Sequence, residues 1–144
     1  MLPESVLSAW RFAAMARALH GRIATEAPMD EEIEECIERC TACRKACVAA
    51  VPGASSQGDS DLHELLMDCA EACAAAISFM RRESSHLAVY CGACSEIAER
   101  CADRCTAINV SELTECAVAC QKCALSCNRL SAPSSTEMPL APSA

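Results

Sequence analysis

The cysteines are the residues of this chain whose number and spacing carry the clearest chemistry. Fourteen of the 144 residues are Cys. The segments 36–47 and 116–127 each hold four of them, at successive intervals of 4, 3 and 4 residues. Residues three, four or seven apart lie on one side of an α-helix. The spacing therefore predicts helices whose inward face, normally Leu and Ile, is a stripe of thiols.

The thiolate of Cys is a soft metal ligand, so this stripe predicts a metal-binding interior. The predicted ligands are the fourteen cysteines Cys36, Cys40, Cys43, Cys47, Cys69, Cys73, Cys91, Cys94, Cys101, Cys105, Cys116, Cys120, Cys123 and Cys127. Two other interpretations are weaker. Neighbouring thiols of one helix have Cβ atoms about 5–6 Å apart, whereas a disulfide needs about 3.8 Å. Cysteines also serve as small buried hydrophobes, but fourteen on matched faces exceed that role.

The spacing favours Cu(I) over other soft ions. Structural zinc sites use four ligands in a tetrahedral arrangement, usually as two separated pairs on loops. Iron–sulfur clusters favour loop cysteines, often with a following Pro, and no Cys here precedes Pro. Cu(I) accepts two or three sulfurs and suits a tube of thiols best. A zinc- or cadmium-sequestering protein of metallothionein type remains an alternative.

Composition limits the remaining classes of function. The net charge is −8 and no basic patch is visible, which argues against a nucleic-acid partner. No run of apolar residues approaches the length of a transmembrane helix, so no membrane role is expected. Aromatic residues make up only 3% of the chain. The core must therefore be built from small side chains, as in closely packed helices.

The breaks in the sequence divide it into helices. An amphipathic helix is predicted over 3–24, and four longer helices over 30–51, 60–82, 86–107 and 112–130. Asp30 and Ser111 are predicted N-caps, and the segment 52–58 is the clearest loop. Short connections make successive helices antiparallel, which predicts an all-α, up-down-up-down four-helix bundle with an additional N-terminal helix. Residues 1–130 form one domain in this prediction, and 131–144 a disordered tail.

These features together resemble one known family. The 4, 3, 4 cysteine helices, the leading helix and the Ser85-His86 opening of the third bundle helix resemble the bacterial four-helix-bundle copper storage proteins, the Csp family. The resemblance covers about residues 3 to 130. It implies many Cu(I) ions bound inside the bundle of each chain, and a homotetramer. Exported members carry a twin-arginine leader, so the sequence resembles a cytosolic member. Ala76 and Met80 stand where richer members could have Cys, which implies a lower capacity.

The antiparallel order also predicts which end of the bundle takes up metal. One end collects Met29, Met80, His86, Cys91 and Cys127. Because Met and His hold Cu(I) more weakly than thiolate, His86, Met80 and Met29 are candidate uptake ligands. The opposite end collects the apolar residues Leu62, Leu65, Leu66, Ile108 and Leu113. For His86 and Met80 the alternatives are a helix cap and a core-filling side chain.

The sequence predicts a cytosolic Cu(I) storage and buffering protein that is not an enzyme. No Ser-His-Asp set, P-loop or dinucleotide-binding glycine pattern is present. A thiol–disulfide oxidoreductase is the enzymatic alternative, with Cys91-Gly-Ala-Cys94 as its candidate site. A reactive thiol of that class needs a helix N-terminus or an adjacent cation, and this motif lies inside a predicted helix. The cytosolic assignment follows from an N-terminus without the features of a secretory signal.

Overall fold

Four antiparallel helices form the described part of the molecule. The computed structural model describes residues 29–131. The helices are α1 (Met29–Ser56), α2 (Ser60–Arg81), α3 (Leu87–Ala107) and α4 (Ser111–Leu130). Each packs on its two neighbours, in the pairs α1–α2, α2–α3, α3–α4 and α1–α4. This closed ring confirms the all-α, up-down-up-down bundle. The helix predicted over 3–24 lies outside the described residues, as does all but residue 131 of the predicted tail.

Contacts at the two ends verify the antiparallel register. At one end, called here the Met80 end, Cys36 near the start of α1 lies 3.5 Å from Cys127 near the end of α4. At the other, called the Leu113 end, Gly53 near the end of α1 lies against Leu113 near the start of α4. None of the helices in the described range combines the length and apolarity needed to span a membrane.

The first bundle helix is longer than the sequence predicted. The segment 52–58 was expected to be a loop, but α1 continues through Pro52 to Ser56. Pro lacks an N–H and removes one helical hydrogen bond. Pro52 and Val48 are exposed, so water can satisfy the Val48 carbonyl. On the opposite face Gly53 and Ala54 are buried, and this packing holds the added turn in place.

Two predicted N-caps are wrong, each for a local reason. Asp30 is not an N-cap, because α1 begins at Met29 and Asp30 falls in an acidic first turn that complements the helix dipole. Ser111 is not an N-cap either, since the Val110 carbonyl already accepts from the Thr114 N–H at 3.0 Å. The cap of α2 is Asp59, whose carboxylate accepts from the Leu62 N–H at 2.9 Å.

The Leu113 end is closed by apolar side chains and an ion pair. Leu62, Leu66 and Leu113 are fully buried there. Arg104 near the end of α3 donates to both carboxylate oxygens of Asp59, at 2.9 and 2.7 Å. The hydrogen bond from Leu62 and the Arg104 guanidinium together hold the pKa of Asp59 below its usual value. These contacts tie the α1–α2 connection to α3.

Removing one of these apolar side chains should destabilise the metal-free bundle. Leu113→Ala is expected to lower the free energy of unfolding by about 3 kcal/mol, because it leaves a cavity beside Gly53. Gln121→Ala on the same helix is a control, since Gln121 is exposed, and its change should stay within about 0.5 kcal/mol. Urea unfolding of the reduced apoprotein, followed by circular dichroism, measures both. Little helicity in the apoprotein would contradict a fold that exists without metal.

Candidate metal centre

The interior of the bundle is lined by thiols along its length. All fourteen cysteines have no solvent-exposed surface, and all are free thiols. They occupy the inward positions of all four helices, as the 3- and 4-residue spacing predicted. Ala is the most frequent of the other buried residues, with Leu and Ile toward the ends. The core is therefore narrow, because small side chains allow the helices to approach closely.

The two 4, 3, 4 helices face each other and interleave their thiols. Near the Met80 end, the Sγ atoms of Cys36 and Cys40 each lie 3.5 Å from the Sγ atom of Cys127. Cys43 lies 3.5 Å from Cys120 in the middle of the bundle. Cys47 lies 3.7 Å from Cys116 toward the Leu113 end. The repeated spacing thus builds a double row of sulfurs along α1 and α4.

The other two helices add thiols to this double row. Cys43 lies 3.7 Å from Cys69 of α2. Cys73 of α2 lies 3.8 Å from Cys123 of α4, across the diagonal of the bundle. Cys94 of α3 lies 3.8 Å from Cys73. These separations are well beyond a sulfur–sulfur bond of about 2.05 Å, so neighbouring thiols are in contact but not joined.

The sulfurs form five overlapping groups, within each of which every pair of Sγ atoms is at most 4.8 Å apart. In order from the Met80 end they are Cys36, Cys91 and Cys127; Cys40, Cys94, Cys123 and Cys127; Cys43, Cys73 and Cys123; Cys43, Cys47, Cys69 and Cys120; and Cys47, Cys101, Cys116 and Cys120. Consecutive groups share at least one cysteine. The thiols therefore form one continuous column rather than separate sites. Cys105 alone among the fourteen lies outside these groups.

Contacts between thiols change their acidity in opposite directions. Hydrogen bonds with Cys123 and Cys36, together with burial, raise the pKa of Cys127. Hydrogen bonds with Cys127 and Cys40 lower the pKa of Cys123. A buried thiolate is stabilised by neighbouring S–H donors, and those donors in turn keep their protons. The metal-free column should therefore hold a mixture of thiols and a few thiolates.

The candidate uptake residues differ in their surroundings. Met80 is 1% exposed, Met29 is half-buried and His86 is exposed. His86 occupies the N-cap position of α3, but its side chain makes no capping hydrogen bond. The backbone N–H of His86 donates to the Ser84 Oγ at 3.0 Å. His86 is therefore the N-cap residue of α3, as the alternative proposed, although its side chain makes no capping hydrogen bond.

Apolar side chains are buried at the Met80 end as well as at the Leu113 end. They are Ile33, Leu87 and Leu130, and the sequence predicted an apolar cluster only at the Leu113 end. Leu130 completes the 3.6-residue stripe of α4 beyond Cys127, a signal present in the sequence. Since no thiol is exposed at either end, an ion reaches the column only when side chains move. Met80 is suited to such movement because its side chain is unbranched and flexible.

The fold and the site together define a four-helix bundle whose core is a column of thiols. The sequence model of the family described as "Copper storage protein" matches residues 24–132. The chain belongs to this family.

Individual relatives are similar over most of their length. A cysteine-rich protein of Bacillus subtilis, YhjQ, is 31% identical over 108 residues, which are 72% of this chain and all of the relative. The structure described as Cu(I)-bound copper storage protein BsCsp3 is 30% identical, with a TM-score of 0.67 over 70% of this chain and 99% of that one. A cytosolic copper storage protein from Streptomyces lividans, described with five coppers, is 26% identical, with a TM-score of 0.65 over 69% and 92%.

Proposed function

We propose that this protein stores and buffers Cu(I), binding many ions per chain through the thiolates of its fourteen cysteines. The observation that carries the proposal is the continuity of the column, in which consecutive sulfur groups share members. A protein with a few discrete sites would need only isolated groups. Membership of the copper storage family supports the same conclusion. The cargo is Cu(I) because soft thiolates select it and it accepts two or three sulfurs.

The electrostatics of the core favour loading to about one ion per cysteine. Free thiolates repel one another and are costly to bury. A thiol that exchanges its proton for Cu(I) keeps the same net charge, so a full column stays nearly neutral. Ala76 and Met80 are buried on the inward face of α2 and offer no thiolate there. They are expected to reduce capacity relative to a bundle with Cys at those positions.

The cellular setting is part of the proposal. A cytosolic location would keep the thiols reduced and ready to bind, and a similar protein from Streptomyces lividans is described as cytosolic. A homotetramer would cover apolar side chains that are exposed in the single chain, among them Val89, Val118 and Leu125. Residues 1–130 would act as one storage domain. Its work is reversible binding, with no catalytic step.

One observation keeps zinc or cadmium as a second candidate cargo. Three of the five sulfur groups contain four cysteines, the number that a tetrahedral zinc site requires.

By contrast, the oxidoreductase alternative finds little support. Cys91 is buried and lies one turn inside α3, away from the helix N-terminus that would activate it.

Titration of the reduced protein against chelators of known affinity tests the storage function. The expected result is saturation near one Cu(I) per cysteine, about fourteen per chain. Zn(II) should bind fewer ions and be displaced when Cu(I) is added. Saturation at two or three Cu(I) per chain would reject storage in favour of discrete sites. Zinc that resists displacement by Cu(I) would make the second candidate the better one.

A further inference from the structure

A groove on the outer face of α1 and α2 carries an unusual concentration of positive charge. Its volume is about 440 Å³, within the range of small-molecule sites. Its polar lining residues are Thr41, Arg44, Lys45, Ser78, Arg81 and Arg82. The groove lies outside the thiol column, and neither the column nor the storage function explains its charge.

Four cations in one groove stand out in a chain whose net charge is −8. The basic side chains that form ion pairs within the described residues are Arg39, Arg100 and Arg104. Within residues 29–131, no carboxylate forms an ion pair with any of the four groove cations. Cations held close together repel one another, so an anion in the groove would be attracted by all four.

One groove cation is positioned by two side-chain contacts. The Arg82 guanidinium lies 4.8 Å from the centre of the Phe79 ring and donates to the Ser78 Oγ at 3.0 Å. Phe79 is in turn stacked on Tyr90 of α3, with ring centres 3.9 Å apart. A guanidinium positioned in this way loses less entropy when it binds a carboxylate or phosphate.

The groove leads to the Met80 end of the column. Arg81 and Arg82 directly follow Met80 in the chain, and Ile77, which also lines the groove, lies one turn before it. Met80 is buried in the core, while Arg81 and Arg82, which follow it, are exposed. An anion bound here would sit beside the end at which the sequence predicts copper uptake.

We propose that this basic groove binds the anionic low-molecular-weight thiol that brings Cu(I) to the protein. The inference rests on the proposed storage function and specifies the form in which the cargo arrives. A Cu(I) ion held by two thiolates is a stable anionic complex, and carboxylates on the carrier add further negative charge. The groove would concentrate such complexes at the Met80 end, against the repulsion of an otherwise acidic protein.

Transfer from this carrier is a ligand exchange with a simple balance. Two protein thiols replace the two carrier thiolates on the ion, and the two protein protons pass to the departing carrier. Copper remains Cu(I), so no electrons move. The charge of the Cu(I)–dithiolate centre, one negative unit, is the same before and after the exchange. The step therefore needs no oxidant, no reductant and no third reactant.

Stopped-flow loading from two copper donors tests the groove. The donors are the anionic Cu(I)–glutathione complex and the cationic Cu(I)–acetonitrile complex. In the full-length variant Arg81→Gln/Arg82→Gln, loading from the glutathione complex should be about tenfold slower. Loading from the acetonitrile complex should be unchanged or faster, and the final capacity should equal that of the wild type. Added S-methylglutathione, which has the carrier's charges but no free thiol, should slow wild-type loading from the glutathione complex.

A matched variant separates the groove from overall charge. Arg100→Gln/Lys122→Gln removes two positive charges from α3 and α4, outside the groove, and should change loading from either donor far less. Equal slowing in both variants, or equal slowing with both donors, would overturn the groove as a carrier site. Failure of the wild-type protein to bind many Cu(I) ions would instead overturn the storage function. In that case the groove is tested by the direct binding of S-methylglutathione. The wild-type protein should bind this probe, and Arg81→Gln/Arg82→Gln should not.

Discussion

Acidification from about pH 7.5 to about pH 5.5 is expected to weaken Cu(I) binding by about a hundredfold for each ion that displaces one proton. The reason is that only the thiolate is a ligand, so protons compete with the metal at every thiol still protonated. Each pH unit then changes the binding constant by a factor of about ten per proton. Competition with a chelator whose own pH dependence is known measures the effect.

The individual thiols are expected to contribute over different pH ranges. A hydrogen bond with Cys120 stabilises the Cys43 thiolate, but contacts with Cys123 and Cys69 and burial outweigh it and raise the Cys43 pKa to about 11. Cys43 should therefore release a proton to Cu(I) throughout the neutral range. A hydrogen bond with Cys123 and burial raise the pKa of Cys94, but hydrogen bonds with Cys127, Cys40 and Cys73 outweigh them and lower it to about 6.

The pKa of Cys94 is shifted downward, opposite to that of Cys43. Above about pH 6, Cys94 is already a thiolate, so it adds nothing to the pH dependence of Cu(I) binding there. Protons compete with Cu(I) for Cys94 only as the pH falls further. Fewer than one proton per Cu(I) should accordingly be released at neutral pH, and more at about pH 5.5. A pH indicator in weakly buffered solution counts these protons directly. Cu(I) binding that is independent of pH across this range would contradict thiol coordination.

The inward stripes were predictable because cysteine spacing and helix geometry share one period. Fixing Cys36, Cys40, Cys43 and Cys47 on one face requires only the 3.6-residue repeat. Short connections then set the antiparallel register, which correctly placed Cys127 and Leu113 at opposite ends of the bundle. The fold class and the buried thiols both follow from these two local rules.

The extension of α1 was not predictable from local signals. Pro52 and Gly53 are strong loop signals by themselves, and only tertiary packing overrides them. A Cβ atom added at Gly53 would lie 3.9 Å from the Leu113 side chain, which is ordinary van der Waals contact. Ala54 is also fully buried. Burying these two residues against α4 favours one more helical turn over a loop.

The grouping of thiols across helices needed coordinates as well. Periodicity places Cys73 and Cys123 on inward faces but does not reveal that they meet across the diagonal at 3.8 Å. That contact depends on how closely the helices approach, which the small side chains of the whole core determine together. For the same reason the sequence did not distinguish Cys105 from the thirteen cysteines that join groups.

The variant His86→Ala/Met80→Leu is expected to slow the loading of Cu(I) about tenfold while leaving the final capacity almost unchanged. Tenfold corresponds to about 1.4 kcal/mol on the barrier to uptake. The exposed imidazole of His86 and the buried thioether of Met80 are weak ligands at the outer and inner sides of the same end. Each would hold an ion briefly on its way to Cys36, Cys91 and Cys127. Met80→Leu conserves volume and should cost little stability.

Two further variants make this experiment decisive. His63→Ala/Leu66→Met removes an imidazole and makes the reverse exchange of Leu for Met at the Leu113 end, where apolar packing and the Asp59–Arg104 ion pair close the bundle, and should leave the loading rate unchanged. Cys43→Ser/Cys120→Ser removes two thiols from the middle of the column and should lower capacity by about two ions with little change in the initial rate. Stopped-flow uptake separates rate from capacity in all three. Unchanged kinetics in His86→Ala/Met80→Leu, or slowing in His63→Ala/Leu66→Met, would show that copper does not enter at the Met80 end.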